Sequence, residues 1–170
     1  MEENAESSLM EILTFVLAGE MYGICVGNIK EVLGLPRITR VPRMPDFMNG
    51  VINLRGNVIP VLDLRLKFGL GKTETTKDTS IIVTEISDAS DEEGGRYTIG
   101  IFSDEVLEVV TLERDQILPP PKIGVAIDTE FIVGMGKSGS DFIIILDIDR
   151  LLSVRELSGA DILPVGEANA

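Results

Sequence analysis

The chain has 170 residues, of which 44% are hydrophobic, and this is enough for one ordinary domain or two small subdomains around an aliphatic core. The net charge of −13 makes nucleic-acid phosphates or anionic lipid unfavourable as primary partners. The acidic start and the absence of a long apolar run predict a cytoplasmic protein without direct membrane insertion.

The first half of the chain is predicted to be rich in β-structure. Short apolar and β-branched runs predict four strands, followed by a short helix with Asp63 as its N-cap. The strands are Ile12 to Ala18, Tyr22 to Val26, Val51 to Leu54 and Val58 to Leu62, and the helix is Leu64 to Phe68. Cys25 lies in the second strand and is predicted to pack as a small hydrophobe, with a reactive thiol as the weaker alternative.

Arg55 stands out in the connection between the third and fourth strands. The Gly56-Asn57 dipeptide supplies the positive φ of a tight hairpin turn, so Arg55 lies at the hairpin tip or just before it. A guanidinium offers five donors in a fixed fork and suits a carboxylate or carbonyl on another molecule. The alternative is a surface arginine without any partner.

The second half repeats this arrangement of elements. The predicted strands are Ser80 to Glu85, Arg96 to Ile101, Glu105 to Leu112 and Phe142 to Leu146, and a helix over Ile148 to Leu152 has Asp147 as its candidate N-cap. Ser87 to Gly95 is acidic and predicts a solvated hairpin loop, with a calcium site as a weak alternative. The chain from Ser153 is predicted to add a turn or two of helix and then to fray.

An internal repeat relates the two halves. Gly23-Ile24 and Ile29-x-Glu31-Val32 recur 77 residues later, as Gly100-Ile101 and Val106-x-Glu108-Val109. A second block recurs with an offset of 84, in which Phe47, Gly50, Leu62, Asp63 and Leu64 become Phe131, Gly134, Leu146, Asp147 and Ile148. Proline-containing stretches break the strands at equivalent places. These matches predict a duplicated structure, with coincidence as the alternative.

Catalytic motifs are poorly represented. The chain has no histidine, the commonest general base and metal ligand. Gly71-Lys72-Thr73 and Gly136-Lys137-Ser138 lack the earlier glycine of a phosphate-binding loop. We therefore expect no cofactor, no metal and no catalysis, although the sequence does not exclude an enzyme of unfamiliar type.

The hairpin region closely resembles the signature of CheW-type chemotaxis coupling proteins. The resemblance extends from about Met10 to Leu152. The residues that carry it are Asn53-Leu54-Arg55-Gly56, Pro60-Val61, Asp63-Leu64-Arg65, Tyr22-Gly23-Ile24, Ile29-Lys30-Glu31-Val32, Thr39-Arg40-Val41-Pro42 and the run from Phe142 to Leu152.

This resemblance implies a mainly β fold of two intertwined five-stranded SH3-like β-barrels with short helices, a shared core and a groove between the barrels. The single domain would span residues 10–152, with subdomains at roughly 10–68 and 79–152, a tail at 1–9 and a C-terminal helix or tail at 153–170. The implied function is that of an adaptor, which links the cytoplasmic tip of methyl-accepting chemoreceptors to the regulatory domain of a CheA-type histidine kinase.

The resemblance also implies a set of receptor- or kinase-binding residues: Ile29, Glu31, Gly50, Asn53, Arg55, Gly56 and Val109. Within this set, Arg55 and Glu31 would set the register of docking, and the two glycines would act through the backbone. A scaffold of a parallel pathway, controlling pili, biofilm or development, is the alternative function. A CheV-like protein or the regulatory domain of a sensory kinase is another alternative, but either would need an attached phosphoacceptor or kinase domain.

Overall fold

The computed structural model describes residues 8–87, 95–120 and 129–151. The predicted acidic loop, Ser87 to Gly95, therefore lies outside the described residues except at its two ends, and the helix or tail predicted from Ser153 lies wholly outside them. Within these ranges the chain forms strands β1 (Leu9–Leu17), β2 (Glu20–Cys25), β3 (Ile29–Gly34), β4 (Met48–Leu54), β5 (Asn57–Leu62), β6 (Ser80–Ser87), β7 (Arg96–Ser103), β8 (Glu105–Glu113), β9 (Ile132–Ser138) and β10 (Asp141–Leu146). The helices are α1 (Leu64–Lys67) and α2 (Ile148–Leu151), and short 3-10 turns cover Val26–Asn28, Arg114–Gln116 and Thr129–Phe131.

The strands form two five-stranded sheets that exchange strands between the halves of the chain. The first sheet has the order β8-β1-β2-β10-β9, and the second has the order β3-β6-β7-β5-β4. The expectation of a mainly β fold with two intertwined five-stranded units is thus confirmed. The boundaries of the two subdomains stay a prediction.

The repeat offsets relate four of the five strands of one sheet to strands of the other. Shifting β2 and β3 by 77 residues brings them onto β7 and β8, and shifting β4 and β5 by 84 residues brings them onto β9 and β10. β1 and β6 occupy equivalent places in the two strand orders, although the offset of 77 does not relate their residues. Each sheet contains one parallel pair at its centre, with Gly23 opposite Ile145 in the first and Gly100 opposite Val61 in the second. These four residues are related by the same offsets, so the duplication found in the sequence corresponds to a duplicated topology.

Two strands, β3 and β9, were missing from the sequence prediction, and β4 begins earlier than predicted. In β3 every second residue is exposed because successive side chains of a strand point to opposite faces of the sheet, and β3 is an edge strand that pairs with β6 alone in the sheet. Gly134 and Gly136 lower the β-propensity of β9, and pairing with β10 overrides that preference. Both strands therefore depend on pairing with another strand, which local propensity does not take into account.

The two aspartates that follow the central strands occupy equivalent places. The backbone N–H of Asp63 donates to Phe47 O at 2.6 Å, and that of Asp147 donates to Phe131 O at 2.8 Å. The buried Asp63 carboxylate caps α1 as predicted, accepting from the backbone N of Arg65 at 3.1 Å. A side-chain cap by Asp147 stays a prediction.

The buried apolar residues of the described ranges form three clusters. One lies within each sheet, around Ile12, Ile143 and Ile145 in the first and around Ile81, Val83 and Phe102 in the second. The third and largest packs residues from both sheets and both helices against each other. It includes stacked rings from Phe15, Tyr22, Phe68 and Phe131 with successive centroid separations of 6.2, 6.3 and 6.3 Å. This central cluster joins the two sheets.

A charged junction marks one crossing of the chain between sheets. Asp104 is the single residue between β7 of the second sheet and β8 of the first. Its N–H donates to Val16 O at 3.0 Å, and one carboxylate oxygen accepts from Ala18 N at 2.9 Å and from Arg65 Nη1 at 3.1 Å. Asp104 thus connects helix α1 to the β1–β2 turn.

Candidate functional site

The β4–β5 hairpin places Arg55 in the turn itself. Leu54 pairs with Asn57, which leaves Arg55 and Gly56 as the two turn residues, with φ of +52° and +86°. The prediction that Gly56-Asn57 forms the turn was therefore wrong by one residue. Two successive positive φ values match the tight turns that suit the twist of a hairpin. The Asn53 side-chain oxygen accepts from Gly56 N at 2.8 Å and stabilises this turn.

The Arg55 guanidinium contacts Glu31, another of the predicted binding residues. Arg55 Nη1 lies 3.5 Å from Glu31 Oε1, and Nη2 pairs with Oε2 of the same carboxylate. Glu31 belongs to β3, which is at the opposite edge of the second sheet from β4. The ion pair therefore joins the two ends of this sheet, and the sequence pattern alone did not predict that these residues meet.

The pair remains accessible to another molecule. The Arg55 side chain is 70% exposed and that of Glu31 is 28% exposed. The hydrogen bond to Glu31 first, and the attraction of its charge second, raise the pKa of Arg55, so the guanidinium stays charged. Exposed ion pairs contribute little to folding stability. A partner could accordingly supply a competing carboxylate to Arg55 at a small cost to the fold.

Four of the remaining predicted site residues have structural roles in this region. Asn53 and Gly56 form the turn described above, and Ile29 is partly buried against the central cluster. Gly50 has a φ of +158°, and a Cβ there would overlap Thr39 O and lie 2.9 Å from Ile38 Cγ2. Glycine at this position lets the segment around Thr39 pair closely with β4.

Val109 is separated from the other predicted residues by its place in the fold. It lies on β8, at an edge of the first sheet, where it is 51% exposed and pairs with Leu13. The repeat relates it to Val32 on β3, which is also exposed. The structure thus joins Glu31 to Arg55 directly, whereas Val109 belongs to the equivalent strand of the other sheet.

Further exposed apolar side chains were missed by the sequence reasoning. Val58 follows the Arg55 turn on β5 and is 65% exposed, and its repeat equivalent Phe142 is 50% exposed on β10. Phe142 also lines a cleft of about 490 Å³ together with Met21, Met135 and Ile144. This cleft lies within the first sheet, so the predicted groove between the two barrels stays a prediction. The sequence does contain a signal for these side chains, because each is a hydrophobic residue close after a hairpin turn.

The two Gly-Lys motifs have structural explanations. Gly136 and Lys137 lie within β9 and pair with Ile143 and Phe142. They therefore belong to a strand and not to a phosphate-binding loop. Thr73 donates its N–H and its hydroxyl to the Asp63 carboxylate, at 2.9 and 2.7 Å. Both motifs therefore belong to the scaffold.

The described residues offer little support for metal binding, membrane insertion or thiol chemistry. Within residues 8–87, 95–120 and 129–151, no group of three His, Cys, Asp or Glu side chains is arranged to hold a metal ion. In the same ranges, no helix has the length and apolarity needed to cross a bilayer. Cys25 is half-buried against the cluster of the first sheet, and this burial raises the pKa of its thiol. A raised pKa disfavours the nucleophilic thiolate.

Comparison with known proteins agrees with the fold. A family described as the CheW-like domain matches residues 11–156. The chain is 36% identical to the chemotaxis protein CheW of Klebsiella aerogenes over 151 residues, covering 89% of this chain and 86% of that protein. It is also 31% identical to the protein FrzA of Myxococcus xanthus, with 84% of each chain covered.

A solved structure shows the same similarity. The scaffolding protein TtCheW from Thermoanaerobacter tengcongensis matches with a TM-score of 0.75 and 37% identity, over 86% of this chain and 90% of that one. The fold of two intertwined five-stranded sheets is thus that of a CheW-type scaffold. The chain belongs to the CheW family.

Proposed function

We propose that this protein is a non-catalytic adaptor that couples methyl-accepting chemoreceptors to a CheA-type histidine kinase. Membership of the CheW family supports a scaffold role. The observation that carries the proposal is the exposed Glu31–Arg55 pair at the hairpin tip, because it presents a charged group whose removal costs the fold little. The partners would be the cytoplasmic receptor tip and the regulatory domain of the kinase, at the cytoplasmic side of receptor arrays.

A division of labour follows from the geometry. Arg55, Glu31 and the exposed Val58 would contact a partner directly, whereas Ile29, Gly50, Asn53 and Gly56 would hold the backbone that presents them. Val109 would contact a partner at the first sheet. Exposed apolar residues would provide affinity, and the charged pair would fix the alignment of the partner on this surface.

Reconstitution provides the test. Purified protein would be mixed with membranes containing receptors and with the kinase of the same organism, and kinase recovery in the pellet would be measured with and without the protein. We expect recovery to depend on the protein and on receptors together. If the kinase pellets equally without the protein, or if neither partner binds it, the proposal is wrong. A labelled-ATP assay would accompany this test, since measurable hydrolysis by the purified protein would contradict a non-catalytic role.

A scaffold role in a parallel chemosensory pathway is the second candidate. A relative of similar identity, FrzA, is not named as a chemotaxis protein, so similarity does not decide between pathways. Capture of native partners distinguishes the two candidates. Recovery of the receptors and kinase of the chemotaxis pathway supports the first candidate. Recovery of receptors and a kinase that control pili, biofilm or development supports the second.

A further inference from the structure

The connection between β3 and β4 concentrates positive charge in an acidic protein. Between Leu35 and Phe47, the chain carries Arg37, Arg40 and Arg43 against a single acidic residue, Asp46. The whole chain has 28 acidic and 15 basic residues. We call Leu35 to Phe47 the arginine loop, and it is a locally basic segment on a surface of opposite overall charge.

The three arginines have no partner within the part of the chain that the structure describes. All three are exposed, and none of them makes an ion pair there. Other arginines in the same ranges are paired: Arg96 contacts Glu85 at 3.2 Å and Arg150 contacts Asp147 at 3.4 Å. The arginine loop therefore presents guanidinium groups whose donors are available to another molecule.

The loop is held in place rather than being free to adopt many conformations. Thr39 and Val51 exchange two backbone hydrogen bonds of 2.8 Å, which adds the loop to the edge of β4. Pro36, Pro42 and Pro45 restrict the backbone further. Restricting the free loop lowers the entropy that binding would cost.

Arg43 adopts an unusual backbone conformation. Its φ is +66°, in the left-handed region that residues with a side chain rarely adopt. The Met48 N–H donates to Pro45 O at 2.9 Å and closes the turn that follows. The surrounding contacts thus maintain a loop shape that Arg43 alone would not prefer.

The loop adjoins the proposed docking hairpin. Its Thr39–Val51 bridge is on β4, the strand that leads directly to Arg55. Leu35 and Val41 in the loop are themselves exposed apolar residues. Arginine next to exposed apolar side chains is the composition that protein interfaces favour.

From these observations we propose that the arginine loop is a separate docking surface for an acidic segment of a protein partner. The partner would present Asp and Glu side chains to Arg37, Arg40 and Arg43, with apolar contact to Leu35 and Val41. Nucleic acid is the less suitable polyanion, since the net charge of −13 would repel a long phosphate chain. The identification of that partner as an array component rests on the proposed function.

The test compares two double variants with the same change in net charge. Arg40→Gln/Arg43→Gln removes two loop charges, and Arg96→Gln/Arg150→Gln removes two exposed charges elsewhere, on β7 and α2. Affinities for the kinase and for the receptor are measured separately over a series of salt concentrations. We expect the loop variant to lose about tenfold in affinity for one partner at low salt and to show a flatter salt dependence. The control variant should bind like the unmodified protein.

The outcomes separate the two proposals. Equal affinity and equal salt dependence for the loop and control variants would overturn the arginine-loop inference while leaving the adaptor function intact. Absence of binding by the unmodified protein to either partner would overturn the adaptor function. Binding of a fluorescent DNA duplex that requires Arg40 and Arg43 would overturn the choice of an acidic protein segment. Circular dichroism melts check that each variant is folded. We expect both variants to fold normally, because all four arginines are exposed.

Discussion

At the scale of single residues, the Glu31–Arg55 pair shows how an interaction can be formed in the free protein and still be suited to a partner. The guanidinium is desolvated little by Glu31 and retains donors on its exposed side. A carboxylate on a partner could share or replace Glu31 without leaving a buried charge uncompensated. We therefore expect the pair to matter more for binding than for stability.

Replacing Arg55 by Ala should weaken assembly and leave folding nearly unchanged. We expect the dissociation constant for receptor or kinase to rise about tenfold or more, which is the usual effect of losing a central interface arginine. The thermal midpoint should stay close to that of the unmodified protein. Arg96→Ala removes another exposed, paired arginine and is the matched control. An Arg55→Ala protein that melts much earlier, or that binds normally, would assign Arg55 to the scaffold or to the solvated surface.

Tyr22 predicts how stability depends on alkaline pH. Burial first, and the charge of Glu20 second, raise the pKa of this phenol from its ordinary value of 10.0 to about 12. The unfolded state therefore loses its proton at lower pH than the folded state does. Stability from Tyr22 is fully present below pH 10 and is lost as the pH rises from about 10 to about 12, by at most about 2 to 3 kcal/mol.

Urea denaturation at several pH values would test this expectation. The unfolding free energy of the unmodified protein should fall relative to that of Tyr22→Phe as the pH rises through this window. A difference that stays constant from pH 9 to pH 12 would show that the phenol is not protected from ionisation by the fold.

At the scale of elements, a short bridging segment pairs with one edge strand of each sheet, β4 in the second sheet and β9 in the first. Thr39 pairs with Val51 of β4, and Leu118 pairs with Met135 of β9. A glycine, Gly50 or Gly134, provides the space in both cases, since an added Cβ would approach the Thr39 or Leu118 carbonyl oxygen too closely. The repeated glycine is thus explained by close approach of the backbone.

Gly50→Ala should destabilise the protein by about 2 kcal/mol or more, because it combines an unfavourable φ with contact to Thr39 O. Gly34→Ala is the control, since no atom lies within 4 Å of an added Cβ there and its φ is not positive. We expect the control to change stability by less than about 0.5 kcal/mol. Equal stabilities of the two variants in chemical denaturation would contradict the close-approach explanation.

At the scale of the whole molecule, the two sheets are joined by the central apolar cluster and by the Arg65–Asp104 junction. The Arg65 and Asp104 side chains are only 20% and 22% exposed. The repeat equivalents of these two residues are Asp149 and Gly27, which lack the corresponding charges. The junction is therefore specific to one side of the duplicated fold, and we expect it to fix the angle between the sheets.

Pulsed electron paramagnetic resonance would test this expectation on the isolated protein. Spin labels at exposed Val58 and Val133 report on the second and first sheets, in a chain where Cys25 is replaced by Ala. Arg65→Met should broaden the distance distribution, whereas Arg65→Lys, which can still reach Asp104, should broaden it less. Ile145→Val controls for destabilisation alone, because it removes one methyl group from a buried core position. Identical distributions for Met and Lys variants would limit Arg65 to packing.

The sequence by itself predicted a β-rich chain with an internal duplication, and it singled out Arg55 at the tip of a hairpin. Strongly apolar strands such as β6 and β10 are recognisable because their hydrophobic pattern is local, and the Asp63 cap is recognisable because it lies beside its helix. Resemblance to a family then added the set of predicted binding residues, of which only some have exposed functional groups.

The tertiary structure decided which distant residues meet. Strand exchange between sheets, the pairing of Glu31 with Arg55 and the bridge between Arg65 and Asp104 all connect positions far apart in the chain. The strands β3 and β9 exist because neighbouring strands satisfy their backbone groups, and their own composition does not require that structure. Such contacts depend on how the sheets pack together, and a pattern of nearby residues carries no record of that packing.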